Sequence, residues 1–134
     1  MLAESRERLL KDVLAVVPGS RITEVHFFQP IRQGGAESGV AVIAVQEDER
    51  LPDRHAVYMA RYRHTLKGPD RGKWESSVIA EADAPLLTVD AVVRGVQRRS
   101  GDAEDPARVS GAELRDILER LEPPARDAEP EGSS

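Results

Sequence analysis

The chain has 134 residues, 40% of them hydrophobic and 32% charged, with a formal net charge of −5. That mixture belongs to a globular domain rather than a disordered chain, and the length suits one domain with its own core. It contains no cysteine, which excludes disulfides, thiolate metal sites and cysteine nucleophiles and fits a reducing cytoplasm.

No apolar run reaches the roughly 18 residues of a membrane-spanning helix. The N-terminal segment mixes acids and bases and lacks the basic-then-apolar order of a signal peptide. In residues 3–17, Leu9, Leu10, Val13, Leu14 and Val17 fall on one helical stripe, so the spacing predicts an amphipathic helix stopped by Pro18-Gly19. Four strands are expected next. Residues 21–31 alternate Thr23, Val25 and Phe27 against Glu24, His26 and Phe28, ending at Pro30. Residues 39–46 are apolar on both faces, as in a central, doubly covered strand. The Gly-rich link between them has the composition of a hairpin connection.

Residues 55–66 place Ala56, Tyr58, Ala60, Tyr62 and His64 on one face, with Val57, Met59, Arg61, Arg63 and Thr65 on the other. Residues 74–82 supply the fourth strand, and the short links favour an antiparallel meander. A Val-rich helix follows, with Thr88 as N-cap and Val89, Val92, Val93 and Val96 as its stripe. After a solvated loop, Ser110 and Glu113 form a capping-box pattern before a helix bearing Leu114, Ile117, Leu118 and Leu121. The expected architecture is α+β: a single four-stranded antiparallel meander sheet with an N-terminal helix and two C-terminal helices, in the order α-β-β-β-β-α-α. Helices are expected on one face, with the third helix either packed there or free as a partner-binding arm. Residues 1–121 form the expected domain, and residues 122–134 an acidic, Pro-rich, disordered tail. The first strand, ending at Pro30, is the candidate edge for a dimer or partner.

Gly68-Pro-Asp-Arg-Gly72-Lys73 superficially resembles a phosphate-binding loop. Such a loop needs four residues between its glycines, a hydroxyl after the lysine and a following helix. Here three residues intervene, Trp74 follows Lys73, and the next segment has strand character. A hairpin turn is the better reading. Pro69-Asp70 with Glu75 matches a nuclease-type acid-x-Lys arrangement only in part, because no lysine stands at the third position. His26, His55 and His64 show no metal-ligand spacing. No serine sits in a nucleophile elbow.

The clearest asymmetry is charge. Residues 54–73 carry six bases against one acid, whereas residues 101–134 carry ten acids against four bases. Arg61, Arg63, Lys67, Arg71, Lys73 and Trp74 are therefore the candidate binding residues. Three readings stand: a solvated hairpin paired with Glu75, Glu81 and Asp83; a surface for an acidic or protein partner, including the chain's own tail; or a nucleic-acid contact with Trp74 stacking on a base. A non-enzymatic binding or adaptor domain, acting on a protein partner or by forming a homodimer, is the leading expectation. Anion or nucleic-acid binding through residues 61–74 comes second. A small enzyme using His64 or His26 as general base comes third, and it needs that histidine beside a carboxylate inside a deep cavity. No catalytic residue, metal ligand, cofactor or membrane contact is assigned.

Overall fold

A strand that is apolar on both faces must be covered on both faces, and residues 39–46 are placed accordingly. A computed structural model describes residues 3–46, 50, 55–80, 89–100 and 105–121. In chain order its elements are α1 (Ala3–Leu14), a 3₁₀ turn (Gly19–Arg21), β1 (Ile22–Phe27), β2 (Ile31–Gln33), β3 (Ala36–Gln46), β4 (His55–Thr65), β5 (Trp74–Ala80), α2 (Val89–Ser100), β6 (Ala107–Ser110) and α3 (Ala112–Leu121). The strands form one six-stranded sheet in the order β5-β4-β3-β1-β6, with β2 also paired to β3. All pairings are antiparallel.

The α+β class holds, but the predicted four-stranded sheet is incorrect. Two short strands account for the difference. In β2 all three residues are exposed, so no buried alternation marks it. It pairs back on β3 through Gly34 and Gly35, whose φ values of 60° and 76° give the two-residue hairpin that a Gly-Gly pair favours. In β6 the four residues bury only Val109, and Pro106 with the acids before it gives the segment the composition of a loop. Because β6 adds to β1, the first strand lies between β3 and β6 rather than at an edge. The predicted edge at β1 is therefore also incorrect.

Helices cover both faces of the sheet, not one. On one face, Leu9, Leu10 and Val13 of α1 and Leu114 and Leu118 of α3 pack on Val25, Phe27, Ala41, Ile43, Val45, Ala60 and Tyr62. On the other, Val92, Val93 and Val96 of α2 pack on Phe28, Val42, Val57 and Met59. The third helix is thus part of the core. The first helix ends at Leu14, earlier than Pro18 requires. Its last turn tightens through Ala15 N–H donating to Asp12 at 3.3 Å and Val16 N–H to Val13 at 2.9 Å. A register shift between Ile22 and Glu24 brings Ile22 inward beside Val25, where strict alternation would have placed Thr23. At α3 the first backbone acceptor is Gly111, bonded by Arg115 N–H at 3.1 Å, so Ser110 lies one residue outside the expected cap. Thr88, Glu81, Asp83 and the predicted tail at 122–134 lie outside the described residues. Among those described, no helix is long and apolar enough to cross a membrane.

Candidate functional site: the basic hairpin and the cleft beside helix α1

The segment 66–73 is a hairpin tip, as its glycines require. Gly68 and Gly72 have φ values of 89° and 92°, a region open to glycine and strained for other residues. Arg71 N–H donates to Gly68 at 3.1 Å, Lys73 N–H to Asp70 at 2.9 Å, and Gly72 N–H to Thr65 at 2.7 Å. The chain then returns directly into β5. Leu66 N–H donates to Gly35 at 2.8 Å, which ties this tip to the β2–β3 turn.

Strand alternation divides the predicted site residues between the two faces. Trp74 pairs with His64, and Tyr62 with Ser76, on the face that carries α1. Arg61 pairs with Ser77, and Arg63 with Glu75, on the face that carries α2. Arg61, Arg63, Lys67, Arg71 and Lys73 are all exposed. Among the described residues none of these five forms an ion pair, not even Arg63 with the Glu75 opposite it. The five bases therefore share one end of the molecule, while Trp74 is turned away from Arg61 and Arg63.

Trp74 is engaged within the fold. Its ring stacks on Tyr62 at 4.6 Å and 7° and meets His64 edge-on at 5.7 Å. The Arg8 guanidinium lies 4.5 Å from its centroid. Its indole N–H donates to Asp12 at 2.8 Å, and Ser76 donates to the same carboxylate oxygen at 2.6 Å. Tyr62 reaches on to Glu37, which is 3% exposed. That carboxylate accepts from Tyr62 at 2.6 Å, Arg32 at 3.1 Å and Ser5 at 3.3 Å. Burial alone would raise the Glu37 carboxyl. The hydrogen bonds from Tyr62, Arg32 and Ser5, together with the Arg32 charge, outweigh it and hold the group below its ordinary value of 4.5. Burial first, then the Glu37 hydrogen bond and charge, push the Tyr62 phenol above its ordinary 10.0.

Beside this network, between α1 and the hairpin base, lies a cleft of about 560 Å³ bordered by Arg8, Lys11, Arg32, Glu37, His64 and Trp74. The general-base requirement is divided between two places. His64 borders the cleft, but among the described residues no carboxylate is bonded to it. His26 has its carboxylate, with Nε2 at 2.5 Å from Glu24, which also takes Arg108 at 3.3 Å. It does not border that cleft. The side chain of His55 lies outside the described residues. No group of three or more His, Asp or Glu among the described residues is arranged to hold a metal ion.

Asp12, Glu37, Arg8 and Arg32 were not singled out from the sequence. Glu37 was within reach of it: extending the period-two pattern of Ala41, Ile43 and Val45 backwards puts position 37 on the buried face. Asp12 was not, because its partner Trp74 is 62 residues away. Compared with protein-family models, with curated proteins and with solved structures, the chain matches none.

Proposed function

We propose that this chain is a small binding domain that holds an acidic protein partner on the β4–β5 hairpin. One observation carries the reading: Arg61, Arg63, Lys67, Arg71 and Lys73 are exposed and form no ion pair among the described residues, in a chain of net charge −5. A charge placed against the overall sign, and left unpaired, is available to steer and orient an oppositely charged surface. Arginine forks at 61 and 63 suit bidentate recognition of carboxylates. Each exposed contact is worth only about 0.2–1 kcal/mol, so several must act together and the affinity must fall with salt.

Phosphates would answer the same charges, which keeps nucleic acid as the second reading. It is the weaker one, because Trp74 is already stacked on Tyr62 and its N–H is taken by Asp12. No free aromatic platform remains at the tip for a base. A cytoplasmic location, on the cysteine-free composition, belongs to the same proposal.

Fluorescence anisotropy with a labelled glutamate-rich peptide and a labelled single-stranded oligonucleotide tests it, at about 50 and 200 mM salt. The peptide is expected to bind in a salt-sensitive way, and an Arg61→Glu/Arg63→Glu variant to abolish that binding. Tighter binding of the oligonucleotide would transfer the site to nucleic acid. Binding of neither probe would remove the proposal.

A further inference from the structure

The cleft beside α1 is separate from the basic hairpin set, with which it shares only Trp74, and its charges are unevenly committed. Of its acids, Asp12 already accepts from Trp74 and Ser76. Glu37 accepts from Tyr62, Ser5 and Arg32, and Glu7 accepts from Arg120 at 2.7 Å. Glu4 is the one acid of the lining with no partner among the described residues.

The cations stand differently. Lys11 is exposed and has no partner among the described residues. Arg32 spends its Nε on Glu37 while its side chain remains 63% exposed, leaving the two terminal nitrogens of the fork. The Arg8 guanidinium carbon lies 4.5 Å from the Trp74 ring centroid, a cation–π contact, and none of its N–H donors is bonded among the described residues. The cleft thus offers donors from three cations, while most of its acceptors are already satisfied. Leu66 adds an apolar wall. A volume of about 560 Å³ is in the range of small-molecule sites, roughly 300–1,000 Å³.

We infer that this cleft is a binding site for a small organic anion, with a carboxylate or phosphate head group held by Arg8, Lys11 and Arg32 and its body against Leu66. The buried Glu37 is a positioning residue here. Its hydrogen bond fixes the Nε of Arg32, so that the free end of the guanidinium is presented to the cleft without first being ordered. The site is independent of the peptide-binding reading.

The chain has a single tryptophan, and it borders the cleft, so intrinsic fluorescence reports occupancy directly. The full chain is titrated with citrate and with inorganic phosphate, with glycerol as a neutral comparator. A saturable change with at least one of the two anions, with a dissociation constant on the order of 1 mM or tighter, and none with glycerol, is expected. Lys11→Glu is expected to weaken that binding at least tenfold with an unchanged thermal melt, because Lys11 is exposed and unpaired. Arg61→Glu/Arg63→Glu, on the opposite face, is expected to leave it unchanged. No saturable response to either anion, or an equal response in Lys11→Glu, overturns the inference. So does loss of binding in the Arg61→Glu/Arg63→Glu variant with retention in Lys11→Glu, which would return the anion site to the hairpin.

Discussion

On the α1 face of the sheet, Glu37 takes three donors and Trp74 touches Tyr62, His64, Arg8 and Asp12. On the α2 face at the same end of β4, Arg61 and Arg63 form no ion pair among the described residues, and Ile79 on the neighbouring strand is 63% exposed. The two faces belong to the same strands and differ by a single step of the pleat. One has used its polar groups to fix the fold, and the other has left them unspent. An exposed side chain with unused donors costs the fold little to retain. The α1 face thus carries the buried polar network and the cleft beside it, while the hairpin carries cations that form no ion pair among the described residues.

The largest test of the contrast lies in the core. Leu9 is fully buried among large aliphatics from α1, α3 and the sheet. Leu9→Ala should cost about 2–5 kcal/mol, the range for emptying a leucine-sized site that cannot collapse. Val93 is 6% exposed in the smaller valine-rich cluster under α2. Val93→Ala should cost roughly 1–2 kcal/mol, near 0.8 kcal/mol for each of two methyl groups. Denaturant unfolding of both variants decides the order. A Val93 variant as damaged as the Leu9 one would mean that the α2 face is a full half of the core rather than a lighter cover.

The next test removes charge without removing volume. Glu37→Gln keeps the shape but replaces one acceptor oxygen with an NH2 donor, which must face either Arg32 or Tyr62 and Ser5, and about 1.5–3 kcal/mol should be lost. The pH dependence supplies an independent reading. Glu37 has a folded value below its ordinary 4.5, so below that pH the unfolded chain binds the proton first and stability falls as pH falls. The contribution is complete above 4.5 and disappears as pH drops through the depressed folded value. Glu24 contributes with the same sign: burial would raise it, but His26 and Arg108 together outweigh that and lower it. Tyr62 acts at the other end of the scale. Its phenol is raised above 10.0, so its stabilisation is complete below 10.0 and is lost as pH climbs through the raised value. Unfolding free energies measured from acid to alkaline pH should therefore decline at both ends. Glu37→Gln should flatten the acid limb without erasing it, because Glu24 remains. An unaltered acid limb in Glu37→Gln would show that the network is not what holds this carboxyl ionised.

Much of this division can be read from the chain, and the remainder is hidden for identifiable reasons. Period-two alternation sorts Tyr62 and His64 from Arg61 and Arg63, because it is a property of one strand. The apolar stripes of the three helices are equally local. Trp74 is different: its face depends on the register across the tip, fixed by Gly68, Gly72 and the bonds of Thr65 with Lys73 and Gly72, and a shift of one residue would turn it over. That is why the sequence groups Trp74 with the arginines and the fold separates them. The strands β2 and β6 are too short, at three and four residues, to show any period of their own. They exist because β3 and β1 offer backbone partners, which is information held elsewhere in the chain.

The smallest expected effect is also the one most exposed to refutation. Arg61→Ala and Arg63→Ala together should change unfolding free energy by less than about 0.5 kcal/mol, the range for surface substitutions away from buried features. Both side chains are exposed, and neither pairs with an acid among the described residues. Arg63 stands opposite Glu75 in the register without an ion pair between them, so no attraction is lost on truncation. The alanines also relieve some repulsion among five neighbouring cations, which biases the small change toward stabilisation at low salt. A destabilisation above about 1 kcal/mol would exceed what exposed, unpaired side chains can supply. The arginines would then belong to the architecture of the α2 face, and the division of labour between the two faces would fail. A near-neutral melt combined with lost peptide binding would separate recognition from folding on this sheet.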